Sequence, residues 1–533
     1  MANGTPYKQA KLSDTWDAIV IGSGIGGLTA AILLGEYGGK RALVLERHYE
    51  AGGFTHTFRR PGYEWDVGLH YVGQMEEGSE ARRAFDHLTG GRMSWQAMPE
   101  VYDRILIGGR TVEFRAGEER LREELNRQFP SESKAIDRYF AAVHACNRMS
   151  GLYYAEKAVP GAIAKIAGGL MRAGYMRWAR RTTLEVLESI TANQELMGVL
   201  TAQWGDYGLP PGKSSFAVHA TIAEHYFGGA SYPVGGAGTI AEAMTARIEQ
   251  MSGAVVTSAE VGSVLVEGGK ATGVRMADGR EFRTEMVVSD AGAANTFGRL
   301  LPAEMPELSA LRAGLRGLRP STGHLALYIG LSASDEELGL KGTNLWVYPS
   351  YDHDGNVERF ARNMEEPFPG VYISFPSAKD KSFKERHKGK STIDALAMVP
   401  YAPFAKWSDT RWKHRGDEYE AVKQHLAARL RAEVERQVPS AVAHIEVAEL
   451  STPVTTRHFA NYESGEIYGI SATPERFLMR ELGARTPVKG LYLTGQDVAS
   501  LGIVGALYGG AISASVALKK NLVSAVGRPP KAG

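Results

Sequence analysis

The residues with the clearest chemical purpose are glycines. Gly22, Gly24 and Gly27 lie in Gly22-Ser23-Gly24-Ile25-Gly26-Gly27, directly after the apolar run Asp17-Ala18-Ile19-Val20-Ile21 and before Leu28 to Tyr37, which reads as a helix. A short β-branched run suits a buried parallel strand. Strand, G-x-G-x-x-G, helix is an arrangement for holding a pyrophosphate. The first glycine permits the tight turn, the second lets phosphate approach the backbone, and the third lets helix and strand pack closely. The helix N-terminus then offers free N–H groups to the anion. A second strand, Arg41-Ala42-Leu43-Val44-Leu45, ends at Glu46. An acid about 20 residues beyond the glycines suits a pair of ribose hydroxyls rather than a 2′-phosphate. An ordinary glycine turn with a solvated glutamate would leave the two flanking strands unaccounted for.

The residues that follow choose between dinucleotides. Arg47-His48-Tyr49-Glu50-Ala51-Gly52-Gly53 places a cation before a double glycine and resembles the R-x-x-x-x-G-G loop of flavoproteins related to amine oxidases and phytoene desaturases. The resemblance implies that Gly52 and Gly53 run beside the FAD pyrophosphate, with Arg47 lending positive charge. Gly53-Phe54-Thr55-His56-Thr57-Phe58, Tyr63-Glu64-Trp65-Asp66-Val67-Gly68-Leu69-His70-Tyr71 and Trp204-Gly205-Asp206-Tyr207-Gly208-Leu209-Pro210-Pro211 resemble the phytoene desaturase and carotenoid isomerase superfamily, and within it the retinol saturase branch. Gly490-Leu491-Tyr492-Leu493-Thr494-Gly495-Gln496-Asp497 is similar to that superfamily's closing flavin motif.

The resemblance implies an α/β protein: a Rossmann-like FAD lobe of the amine oxidase and phytoene desaturase type, and a discontinuous mixed α+β substrate lobe. The FAD lobe is expected in three pieces, residues 14–79, 232–301 and 486–525, and the substrate lobe in two, 80–231 and 302–485. The expected FAD contacts are Gly22, Gly24, Gly26, Gly27, Glu46, Arg47, Gly52, Gly53, Phe54, Thr55, Gly495 and Asp497, the last bonding a ribityl hydroxyl. Val261 is expected to meet adenine through its backbone. A helix beginning near Gly502, Ile503 and Val504 would aim its positive end at the flavin, where it stabilises negative charge on the reduced ring. FAD is expected to be non-covalent. The implied reaction is saturation, desaturation or isomerisation of a carbon–carbon double bond in a long apolar isoprenoid or polyene.

Bulk properties exclude other classes. The chain has 533 residues, too many for one simple core, and a formal net charge of +1, which gives no field for nucleic acid. The single cysteine, Cys146, rules out an internal disulfide or a dithiol centre and reads as a buried thiol in a helix. The 14 histidines are scattered without an H-E-x-x-H spacing, so no metal is expected. Met1 to Trp16 is polar and does not resemble a signal peptide, and no run reaches the about 18 apolar residues of a membrane span. A cytoplasmic protein is expected, with peripheral membrane contact through Val159 to Arg181, where Ile163, Ile166, Leu170 and Trp178 mingle with Lys165, Arg172, Arg177, Arg180 and Arg181 and no acid occurs.

Hydride transfer to a polyene needs position, a dry apolar cavity and a proton carrier on the opposite face. The polar candidates are His56, His70, His219, His225, Tyr226, Tyr468 and Asp206, and His225, Tyr226 and Tyr468 are the residues expected to carry the proton. No second strand–G-x-G-x-x-G–helix unit is evident: Gly235-Gly236-Ala237-Gly238 reads as lacking both a preceding strand and a following acid. Electrons would then pass over one shared flavin face from NAD(P)H, or through a quinone, oxygen or a carrier protein. A flavin amine oxidase shares the N-terminal and closing motifs and is the alternative enzyme. A flavin-bearing scaffold or escort protein is the alternative without catalysis. Helices are expected over Lys134 to Met149, Leu184 to Leu200 and Asp417 to Gln437.

Overall fold

Two large sheets organise the chain, whose computed structural model describes residues 3–527. The first has six strands, all parallel, in the order Thr5–Pro6, Ala254–Thr257, Ala42–Leu45, Ala18–Ile21, Val287–Ser289 and Leu491–Leu493. Ala18 and Val20 face the helices Ile25–Gly38, Gly238–Gln250 and Gly502–Leu518, whereas Ile19 and Ile21 join Val264, Val274 and Phe282 of a small antiparallel sheet on the other face. Both faces are covered, which is why these strands are apolar throughout. Chain from Ala18–Leu45, Ala254–Ser289 and Leu491–Leu493 comes together in this sheet, and the crossovers between these pieces deliver the second lobe.

That lobe is built on a seven-stranded sheet ordered Ile445–Ser451, Gly323–Leu331, Ser391–Val399, Val371–Ser374, Asn344–Tyr348, Val101–Ile107 and Arg110–Arg115. Side chains alternate along Gly323–Leu331. Leu325, Leu327, Ile329 and Leu331 pack against the helix Asp417–Gln437, while Ala326 and Tyr328 turn the other way. Tyr328 shares that inner side with Trp346, Tyr372 and Leu396, and over it lie the helices Ser133–Ala158 and Phe216–Phe227. Cys146 is buried there, its thiol pushed up to about 12 by burial, which suits an inert core residue.

Several expectations need correction. The run Leu184 to Leu200 is two helices, Thr183–Glu188 and Gln194–Leu200, because Asn193 caps the second by accepting the Leu196 N–H at 3.1 Å. The first helix of the dinucleotide unit starts at Ile25, three residues earlier than the sequence suggests. A strand, Ala230–Pro233, does precede Gly235, but it pairs antiparallel with Val72–Gly73 and Trp95–Ala97, outside the parallel sheet. The glycines after it are therefore no second dinucleotide turn of the parallel kind.

Candidate dinucleotide and substrate site

The carboxyl ends of the parallel strands are where an α/β sheet binds ligands, and here each of three strands delivers an acid. Glu46 follows Ala42–Leu45, Asp290 follows Val287–Ser289, and Asp497 lies just beyond Leu491–Leu493. Glu46 accepts hydrogen bonds from the Ser23 N–H at 2.9 Å, the Ser23 hydroxyl at 2.7 Å and the His48 N–H at 2.7 Å. Ser23 Oγ accepts the Gly52 N–H at 3.0 Å, so one hydroxyl staples the two glycine loops together. Gly53 lies against Gly24: a Cβ on Gly53 would sit 3.1 Å from the Gly24 Cα. Gly22, Gly52 and Gly53 have φ of +96°, +119° and +56°, a region that side chains resist. Gly24 does not, since its φ is −60°.

Asp290 is the residue that sequence reasoning missed. Its carboxyl accepts the Gly24 and Gly27 N–H groups, and a Cβ on Gly24, Gly26 or Gly495 would meet its oxygens. Burial, with Glu46 and Asp497 adding repulsion, pushes it up to about 8 against the pull of those N–H groups. Within the protein, a side chain at Gly24 would therefore meet this carboxyl. The usable signal was positional, since Asp290 ends a strand just as Glu46 does.

Asp497 is nearly buried; Oδ2 accepts the Ala293 N–H at 2.8 Å and Oδ1 the Ile470 N–H at 3.1 Å. It ties three distant segments into one junction. Arg47 is turned aside from the expected role: its Nε lies 3.2 Å from Glu260 and it donates to the His458 carbonyl at 2.7 Å, which compensates its charge. Thr55 donates to the Gly52 carbonyl at 2.8 Å and holds the turn. The helix Gly502–Leu518 has no side-chain cap at its N-terminus, so its first N–H groups remain free for an acceptor.

Most of these groups line one continuous cavity of about 2160 Å³. Typical ligand pockets are about 300–1,000 Å³, so this space admits a dinucleotide and a second molecule beside it. Gly22, Gly24, Gly26, Glu46, Arg47, Gly52, Gly53, Phe54, Thr55, Val261, Asp497, Gly502, Ile503 and Val504 border it. Gly27 and Gly495 do not; a Cβ on Gly27 would strike the Gly22 carbonyl, and Gly495 is wedged against Asp290. The far wall is aromatic and apolar, with Phe58, Tyr328, Trp346, Tyr372, Leu396 and Met398. The residues present fit FAD: glycines that let phosphate approach the backbone, Glu46 for ribose, the uncapped N-terminus of Gly502–Leu518, and Asp497 on the cavity lining.

The three expected proton carriers also border the cavity. His225 is otherwise engaged: Nε2 accepts the Gly73 N–H at 2.9 Å, Nδ1 faces Gln74 Oε1 at 3.3 Å, and burial lowers it to about 4. Its neutral ring anchors the strand Val72–Gly73. Tyr468 donates to the Gly205 carbonyl at 3.2 Å, and Tyr226 stacks on Tyr71 with ring centres 4.5 Å apart. His219 lies away from the cavity, between the Tyr139 and Tyr207 hydroxyls at 3.0 and 3.1 Å. His56 and His70 border it; His70 Nδ1 faces Asp394 at 3.5 Å and burial lowers this ring to about 3.

Residues 20–88 match the NAD(P)-binding Rossmann-like domain. Along nearly its whole length the chain is similar to all-trans-retinol 13,14-reductase of Danio rerio, 36% identical over 97% of this chain and 88% of that protein. A second Danio rerio protein, named inactive all-trans-retinol 13,14-reductase, is 32% identical over 97% and 88%. Chloroplastic prolycopene isomerase of Arabidopsis thaliana is 27% identical over 95% and 84%. Among solved structures, an oxidoreductase from Methanosarcina mazei aligns with a TM-score of 0.61 over 95% of this chain and 100% of that one at 18% identity. Putrescine oxidase bound to putrescine aligns with a TM-score of 0.62 over 95% and 99% at 15% identity. Those two likenesses speak for the fold alone. The length and identity of the first match, laid over a dinucleotide cradle that opens into an apolar cavity, make this chain a member of the all-trans-retinol 13,14-reductase family.

Proposed function

We propose that the chain binds FAD non-covalently and reduces a carbon–carbon double bond of an apolar polyene such as all-trans-retinol. Family membership alone does not carry activity, because one relative of similar identity is named inactive. The observation that carries it is the cavity of about 2160 Å³, whose lining joins the glycine loops and Glu46 to the aromatic residues Phe58, Tyr328, Trp346 and Tyr372. FAD bound there supplies hydride chemistry. The chain does the rest: the glycine loops and Glu46 seat the dinucleotide, the N-terminus of Gly502–Leu518 favours negative charge on the reduced ring, and the aromatic wall aligns the polyene and excludes water.

A second reading, isomerisation without net redox change, is favoured by the likeness to prolycopene isomerase. One experiment separates them. Acid precipitation of the yellow protein should release free FAD. Anaerobically reduced protein is then mixed with all-trans-retinol or with a cis-carotenoid, and products are read by mass. A gain of two hydrogens supports reduction, and unchanged mass with a new isomer supports isomerisation. No change with either polyene, together with flavin reduction by an amine, would restore the amine oxidase alternative.

The same reading extends to substrate entry from a membrane surface. The cavity wall includes Tyr154, Ala158, Val159 and Gly161 at the junction of the helices Ser133–Ala158 and Gly161–Ala179. Beside it Ile166 and Leu170 are 88% and 84% exposed, with Leu152 and Ile163 also open to solvent. Exposed apolar residues flanked by Lys165 and Arg177 suit an anionic lipid surface. Arg172 belongs elsewhere, since it pairs with Glu156 at 2.6 Å. No helix among the described residues is long and apolar enough to cross a membrane.

A further inference from the structure

Behind the aromatic wall lies a buried polar cluster that the dinucleotide site does not use. Tyr71 sits at its centre, its hydroxyl 2.7 Å from Asp206 Oδ2 and 3.1 Å from Asp103 Oδ2. Asp103 is fully buried and well supplied with donors: the Gln203 amide reaches Oδ2 at 2.8 Å and the Asn344 amide reaches Oδ1 at 2.7 Å. Lys379, also buried, donates to the Asn344 side-chain oxygen, to Ser374 Oγ at 2.7 Å and to the His70 carbonyl at 2.9 Å. Asp206 differs from Asp103 in two respects. Among the described residues its carboxyl receives only the Tyr71 hydroxyl, and it borders the cavity, which Asp103 does not.

These contacts set the charges. Two carboxyls sharing one hydroxyl cannot both ionise cheaply in a dry site. Burial raises Asp103 too, but the Gln203 and Asn344 amides stabilise a negative charge there, so the carboxyl with fewer donors, the one facing the cavity, is the one that holds the proton. Burial, with repulsion from Asp103, accordingly drives Asp206 well above the usual carboxylate range. Asp206 and Asp497 line the same cavity, and the segment holding Asp206 is linked to the Asp497 junction: Tyr468, two residues from Ile470, donates to the carbonyl of Gly205, the residue before Asp206. A neutral carboxylic acid beside an apolar cavity can donate a proton to a reacting carbon.

We propose that Asp206, positioned by Tyr71 and Asp103, is the acid that protonates the substrate double bond. This rests on the double-bond reading above. In the balanced step a hydride, carrying two electrons, reaches one carbon from the reduced flavin, and the neighbouring carbon takes the Asp206 proton. The C=C π bond breaks, two C–H bonds form, the flavin is oxidised, and Asp206 is left as a carboxylate that hydrogen-bonds the Tyr71 hydroxyl. Asp206 is the catalytic residue; Tyr71 and Asp103 are positioning residues, and His225 and Tyr468 hold the surrounding backbone.

The test compares wild type, Asp206→Asn and Tyr226→Phe as holoproteins. Flavin content and retinol affinity are measured first, and then the single-turnover oxidation of reduced flavin by all-trans-retinol. Asp206→Asn should keep both binding properties and slow oxidation about a hundredfold or more, the usual scale for losing a general acid, and by more than Tyr226→Phe does. Infrared difference spectra without substrate give an independent readout: the wild type should show the carbonyl stretch of a buried protonated acid that Asp206→Asn removes. Oxidation by Asp206→Asn within threefold of wild type overturns the proton role alone, as does an ionised Asp206 in the infrared. A hundredfold loss confined to Tyr226→Phe transfers the role to Tyr226. No oxidation of wild-type flavin by any polyene overturns the double-bond reading and the proton role together.

Discussion

Replacing Asp497 by asparagine should weaken flavin binding by about two orders of magnitude. The carboxylate accepts the Ile470 N–H at 3.1 Å on one oxygen and the Ala293 N–H at 2.8 Å on the other, and is 3% exposed. Asparagine keeps one acceptor and must turn its NH2 toward the remaining N–H, so one charge-assisted bond is lost and a donor faces a donor. A hydrogen bond to a charged group contributes about 1.5–3 kcal/mol. A loss of about 2–3 kcal/mol from a junction that FAD requires assembled corresponds to roughly 30- to 150-fold in affinity. Asp497→Ala strands both N–H groups and should cost about twice as much. The assay is titration of deflavinated protein with FAD, followed by fluorescence quenching, alongside thermal unfolding with and without FAD. Wild-type affinity in the asparagine variant, or equal effects of asparagine and alanine, would refute the cross-link argument.

Further outcomes follow from the same site. Asp290 is pushed up to about 8 in the folded chain against about 3.9 when unfolded; the folded state therefore binds the extra proton between these values, and stability should fall as pH rises through that window. Asp290→Asn should flatten that slope in thermal unfolding from pH 5 to 8, and a variant as steep as wild type would remove Asp290 as its source. Gly24→Ala should lose flavin because its Cβ meets the Asp290 carboxyl; adding Asp290→Ala should recover flavin content, and no recovery would place the obstacle on the ligand side. Ile166→Asp with Leu170→Asp, at side chains 88% and 84% exposed, should cut sedimentation with anionic vesicles at least tenfold without changing unfolding temperature. Equal pelleting would show that this helix face does not meet lipid.

The dinucleotide unit was legible because its determinants are local. The apolar run around Ala18–Ile21, the glycines after it and Glu46 fall within one strand–helix–strand stretch, where turn geometry and periodicity act over a few residues. The helix Asp417–Gln437 was legible for the same reason, its buried Leu426, Leu430 and Val434 recurring at the helical step. Local pattern failed where a side chain competed with the backbone, as at Asn193, and where a strand such as Ala230–Pro233 took its partners from far away.

The amino-acid sequence by itself determined the parallel dinucleotide lobe, with its glycine turn after the first strand and Glu46 at the end of the next, and through motif resemblance the family. Only the tertiary structure decided that Arg47 is spent on Glu260, that Asp290 fills the space between the glycines, and that Asp103, Asp206 and Tyr71 share one hydroxyl. The reason is physical. Whether a carboxyl is ionised or a guanidinium is free depends on burial and on partners hundreds of residues away, as with Lys379 donating to the carbonyl of His70. Those distances in sequence are closed only when the two lobes pack around their common cavity.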